Sequence, residues 1–198
     1  MSPGIKPDWF IIVFLPGAGG NHLANIISTD KKFISRVDGN YYNQEPTVAH
    51  PVPTESEIPI SDQIRNAKGC NHVFCCHLGT INWNLDGFNN SVANKKIIVI
   101  EFPNTARSEL FMKRITTPGH YWLPSYKIEE YSWLYSVDVF RKLFGFTDIT
   151  PLTVDMLFDP DSHRLVDCLH KEFNLQLNYD QVQSMHTKWL AGIRKKLP

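Results

Sequence analysis

Small residues follow the first apolar run of the chain, in Leu15-Pro16-Gly17-Ala18-Gly19-Gly20-Asn21-His22-Leu23. Such residues let a backbone turn sharply and come close to a ligand. Where a loop of this kind opens a helix, several amides lack intrahelical partners and the positive end of the helix dipole faces outward, an arrangement that takes phosphate or sulfate. Gly17, Ala18, Gly19, Gly20, Asn21 and His22 are therefore candidate anion-binding residues. The segment lacks the lysine and the Ser/Thr that follow the last glycine in a nucleotide-hydrolysing loop. It also misses the dinucleotide fingerprint, because His22 stands at the third glycine position after Gly17-Ala18-Gly19.

A second candidate is His77, at the end of the apolar run Phe74-Cys75-Cys76-His77-Leu78. In a parallel sheet the carboxyl ends of the strands border one crevice, so this imidazole would share it with the glycine loop. A neutral histidine there can take a proton from a hydroxyl or an amine near neutral pH. Cys70, His72, Cys75, Cys76 and His77 carry the donor types of a zinc site. Adjacent strand residues point to opposite faces, however, and there is no CxxC pair, so the thiols read as small core hydrophobes and no metal is expected. His186 reads as packing, and Lys113 with Arg114 could bring positive charge toward the crevice in part replacement of a loop lysine but read rather as a solvated helix face. Arg194, Lys195 and Lys196 form a basic helix end that complements the helix dipole.

The elements that must position these residues follow from periodicity. Asp8 to Pro16 is a continuous apolar run, the pattern of a strand covered on both faces, and Asn21 to Ser28 reads as a helix with Leu23, Ile26 and Ile27 on one side. Residues 38–61 hold four prolines and little periodicity, which predicts a long loop, with a short helix over Ser61 to Lys68. Further strands are expected at His72 to His77, Lys96 to Phe102 and Leu152 to Leu157. Helices are expected from Asn104 to about Ile115, from Glu129 to Phe144, after Asp159-Pro160 with Leu165, Leu169 and Phe173 inward, and from Tyr179 to about Lys195. In the last of these, Val182, Met185, Trp189 and Ile193 form one stripe. The sum is an α/β chain with a central, mainly parallel sheet flanked by helices.

At 198 residues with 42% hydrophobic positions, the chain suits one domain over 1–198. Basic and acidic residues balance at 20 each, which argues against a nonspecific nucleic-acid or membrane-surface binder. The run Trp9 to Leu15 is far short of the ~20 residues that span a bilayer, and the four cysteines suit reduced thiols, so a cytoplasmic location is expected.

In order and spacing, these segments resemble the P-loop-fold sulfotransferases, in particular short, divergent bacterial or viral members. Pro16 to Leu23 stands in the strand, loop and helix context of that family's PKSGTTWL segment, and Cys75-Cys76-His77-Leu78 precedes Lys96-Ile97-Ile98-Val99-Ile100-Glu101-Phe102-Pro103 as its KTHLP segment precedes KIIYLCRNP. Leu152 to Pro160, Phe173-Asn174-Leu175 and His186-Thr187-Lys188-Trp189 resemble its closing elements, so the likeness runs from about Trp9 to Trp189. It implies a three-layer P-loop-like fold and transfer of a sulfuryl group from phosphoadenosine phosphosulfate (PAPS) to a hydroxyl or amine acceptor, small molecule or glycan. It also implies His77 as the catalytic base, the glycine loop as the cradle of the phosphosulfate, and Arg107 with Ser108 on the 3' phosphate. Three departures stand out: Gly17 replaces the loop lysine, Glu101 or Phe102 replaces the arginine ending the strand, and a late GxxGxxK segment is missing. The alternatives are a nucleotide- or phosphate-binding module without turnover and a structural or interaction protein that keeps the fold.

Overall fold

In a computed structural model of the chain, the described residues are 9–14, 17–30, 33–34, 71–76, 95–101, 108–116, 136–144 and 149–197. Strand β1 (Trp9–Val13) leads through the glycine loop into helix α1 (Gly20–Ile27), and β2 (Phe33–Ile34) follows. Next come β3 (Asn71–Cys76), β4 (Lys95–Glu101), α2 (Glu109–Thr116) and α3 (Val137–Phe144). The chain closes with β5 (Ile149–Thr153), α4 (Val154–Phe158), α5 (His163–Phe173) and α6 (Tyr179–Lys196).

The strands form one sheet in the order β2-β3-β1-β4-β5, and every pairing is parallel. The all-apolar character of β1 and β4 has its reason here, because both faces of the sheet are covered. Phe10, Ile12, Phe14, Ile98, Ile100 and Leu152 belong to one large core with residues of α1, α2, α4, α5 and α6. Strand residues of the other parity, Val13, Ile97, Val99 and Ile149, are buried outside that core, as is Val137 of α3. Each fully buried Ile, Leu or Phe contributes about 1.5–3 kcal/mol, and this two-sided burial fixes β1 at the centre.

The registers align the strand ends that matter. Val13 of β1 pairs with Cys76 of β3 and with Val99 of β4, and β4 runs two residues further, to Glu101 opposite Thr153. From β1 the chain leaves through α1 toward β2, on the β3 side, whereas from β4 it leaves toward β5 on the other side. Adjacent strands whose connections depart in opposite directions leave a crevice outside their carboxyl ends, where α/β sheets bind ligands. The glycine loop opens at that point.

Several expected elements differ: α3 begins at Val137, after a bend at Ser136, and α5 begins at His163 rather than directly at Asp159-Pro160. The strand expected over Leu152 to Leu157 is β5 only as far as Thr153, after which the chain turns into α4. The Thr153 hydroxyl accepts from the Met156 amide at 3.4 Å, a helix cap, and Val154, Leu157 and Phe158 then fall on one buried face. The helix expected from Asn104 starts instead at Glu109, because Ser108 is its cap: its carbonyl accepts from Met112 N and its hydroxyl from Phe111 N. Asn104 itself, the loop over 38–61, the helix over Ser61 to Lys68, and residues 129–135 of the helix expected from Glu129 lie outside the described residues. Among the described residues, no helix is long and apolar enough to cross a membrane.

Candidate functional site: the glycine loop and a buried histidine pair

Gly17 and Gly19 both adopt left-handed backbone, at φ 91° and 90°. L-residues with a Cβ are strained there, so the two glycines set the path of the loop. Gly20 is required for a different reason, close approach: a Cβ on it would lie 2.1 Å from the ring of Phe14, at the end of β1. All four residues from Gly17 to Gly20 are buried, and an anion held by amides in such a setting interacts with them more strongly than in water.

Gly19 caps α1 through its carbonyl, which accepts from Leu23 N at 3.0 Å. The cap residue is a glycine and so offers no side-chain oxygen, and the first turn holds no acidic residue. Within α1 itself, then, no acidic side chain offsets the positive end of the helix dipole. Asn21 is half-buried, and its side-chain oxygen has no hydrogen-bond partner among the described residues.

His22, the third residue of α1, turns inward rather than toward solvent. Its ring stacks on the indole of Trp189 from α6, with centroids 4.2 Å apart and planes 9° from parallel. The same indole also covers Gly19, where an added Cβ would lie 3.0 Å from it. Nε2 of His22 is 2.9 Å from Nδ1 of His186, also on α6, and Nε2 of His186 is 2.6 Å from the carbonyl oxygen of Asp159.

These contacts assign the protons. A carbonyl only accepts, so His186 must carry its proton on Nε2 and donate to Asp159. Nδ1 of neutral His186 is then an acceptor, and His22 donates to it from Nε2. The lone pair of neutral His22 is left on Nδ1, a buried atom with no partner among the described residues. Burial, then the neighbouring His186, then the Arg114 guanidinium hold the His22 imidazole well below the usual histidine range. Burial also lowers His186, against the opposing pull of Asp159 and Asp161.

Arg114 on α2 is half-buried rather than solvated, with its guanidinium carbon 5.7 Å above the Trp189 ring. Its charge also lowers the His22 imidazole, after burial and His186. Lys113 beside it is exposed. At the end of β4, the Glu101 carboxylate accepts from Val137 N at 2.8 Å and so caps α3, an acidic group where the sulfotransferase likeness expects an arginine.

Of the residues singled out in the sequence, Gly17, Ala18, Gly19, Gly20, Asn21 and His22 are brought together in the loop and first turn. Ser108 caps α2, which follows β4, the strand beside β1. Arg107 and His77 lie outside the described residues, as does Cys70, and His72, Cys75 and Cys76 are placed by the backbone register of β3. Among the described residues, no three His, Cys, Asp or Glu side chains are grouped to hold a metal ion. His186 and Trp189 were legible only as packing. The signal that could have marked His186 is its place four residues after Val182 and three before Trp189, a histidine on the apolar face where the stripe through Met185 is one residue out of phase. Comparison with protein-family models, with curated proteins and with solved structures finds no match to this chain.

Proposed function

We propose that the chain is a sulfotransferase-like protein of P-loop-like fold that holds the phosphosulfate end of PAPS at the glycine loop. The single observation that carries this reading is the loop itself. Two left-handed glycines follow the central strand at the topological switch point and feed a helix whose cap is itself a glycine and whose first turn holds no acid. Amides so placed bind the non-bridging oxygens of a phosphate or sulfuryl group. Arg107 and Ser108 are proposed to position the 3' phosphate, and His77 to take the proton of a hydroxyl or amine acceptor as its oxygen or nitrogen attacks sulfur. The bond from sulfur to the phosphate oxygen then breaks, and phosphoadenosine phosphate leaves with the electron pair. The likeness to sulfotransferases described from the sequence supplies the donor in this reading.

A second reading, binding without turnover, is favoured by Gly17. It stands where the family's loop lysine stabilises charge on the leaving group, and its φ of 91° makes a lysine there strained. Incubation with sulfate-labelled PAPS and a panel of phenols, sugars and amines separates the two. Label transfer that His77→Ala abolishes supports the enzyme. Saturable binding of phosphoadenosine phosphate with no transfer supports the module. Transfer unchanged in His77→Ala removes His77 as the base.

A further inference from the structure

His22 belongs to the first turn of α1, whose amides form the proposed anion site; its ring lies against the same indole that covers Gly19, and its buried Nδ1 has no partner among the described residues. It is also the one ring nitrogen of the two histidines that the relay leaves uncommitted. A buried lone pair with no donor is unfavourable. Protonation at Nδ1 breaks no bond of the relay: His22 still donates from Nε2 to His186, and His186 still donates to the Asp159 carbonyl.

What opposes a proton there is burial first, and then charge. His22 faces His186 from α6 and Arg114 from α2, and the Asp159 carbonyl and Asp161 carboxylate, between α4 and α5, act on it only through His186. The net local field is positive, and burial adds to the penalty. An anion at the loop acts on the charge part, since its negative charge offsets Arg114 and stabilises an imidazolium. We propose that anion binding at the first turn of α1 is coupled to uptake of one proton at His22 Nδ1, so that sulfate and phosphate esters bind more tightly as pH falls. The imidazolium and Arg114 together supply the positive charge that a loop lysine would supply and that Gly17 does not. The inference rests on the anion-site reading of the glycine loop.

The probe is inorganic sulfate, whose charge is constant over the histidine range. It is titrated calorimetrically at fixed ionic strength between about pH 5.5 and 8.5, in two buffers of different ionisation enthalpy. The expected result is a Kd that rises toward about tenfold per pH unit on the alkaline side, with up to one proton taken up per sulfate. His22→Gln is expected to bind weakly with no pH slope and no proton uptake. A pH-independent Kd without uptake in the wild type, or an undiminished slope in His22→Gln, overturns the coupling and leaves the anion site standing. Absence of saturable binding by sulfate and by phosphoadenosine phosphate at every pH overturns the anion site itself. If His22→Gln does not fold, the nitrogen-15 shift of His22 Nδ1 in the wild type decides: a change from bare to protonated on adding sulfate is expected, and no change at saturation overturns the proposal.

Discussion

Gly20 lies so close to Phe14 that one methyl group decides the fit between α1 and β1. A Cβ at 2.1 Å from an aromatic ring forces the helix or the ring to move. Gly20→Ala is therefore expected to lose about 1–3 kcal/mol in urea unfolding, the usual scale of overpacking. Gly17→Lys, which restores the family's residue by type, is expected to lose about 1–2 kcal/mol and to restore no transfer activity, because φ 91° is unfavourable for any side chain with a Cβ. The histidine pair makes a pH prediction with a definite sign. Both rings are held below the ordinary histidine value in the folded chain, so below about pH 6.5 the unfolded chain binds more protons. Stability is full above that pH and falls on acidification, by at most about 1.4 kcal/mol per pH unit for each histidine. Denaturant midpoints measured between about pH 5 and 8 check this, and His186→Leu with His22→Leu should flatten the curve. His163 has the opposite sign, raised by Asp161, but both side chains are exposed and screening keeps the effect small.

At the scale of elements, the caps differ in strength. The Asn178 side chain accepts from Gln181 N at 2.9 Å at the start of α6, the helix that carries both His186 and Trp189. Asn178→Ala is expected to cost about 1 kcal/mol in thermal or urea unfolding, and Thr153→Ala, whose bond to Met156 N is 3.4 Å, less. The unit of β1, glycine loop and α1 was legible in the sequence because an apolar run, left-handed turn residues and a 3.6-residue period follow one another without ambiguity. The change from β5 to α4 was not, because Val154-Asp155-Met156-Leu157-Phe158 is too short to show a period and only the Thr153 cap commits it to helix. The start of α2 was misplaced for a similar reason: Asn104 and Ser108 are both capping residues, and the sequence offers no means of ranking them. The contact from His22 to His186 joins positions 164 residues apart and has no local signature at all.

Across the whole molecule, the C-terminal helix is what completes the loop. Trp189 covers Gly19 and stacks on His22, His186 holds the other end of the histidine relay, and the indole is in turn under Arg114 from α2. A second tie joins the same parts lower down, where the Asp30 carboxylate, just after α1, accepts from Gln176 N at 2.7 Å, shortly before α6. Loosening α6 should therefore affect ligand binding and stability together, whereas a substitution confined to exposed α5 residues such as Lys171 should affect neither. The glycine loop between β1 and α1 is proposed as an anion site that takes a phosphosulfate donor. Calorimetric titration with phosphoadenosine phosphate, set beside ATP, on the wild type and on Gly19→Ala tests it most directly, with circular dichroism to verify folding of the variant. The account predicts saturable binding of phosphoadenosine phosphate, weaker binding of ATP, and loss of the former in Gly19→Ala. Binding of neither nucleotide by the folded wild type would contradict it.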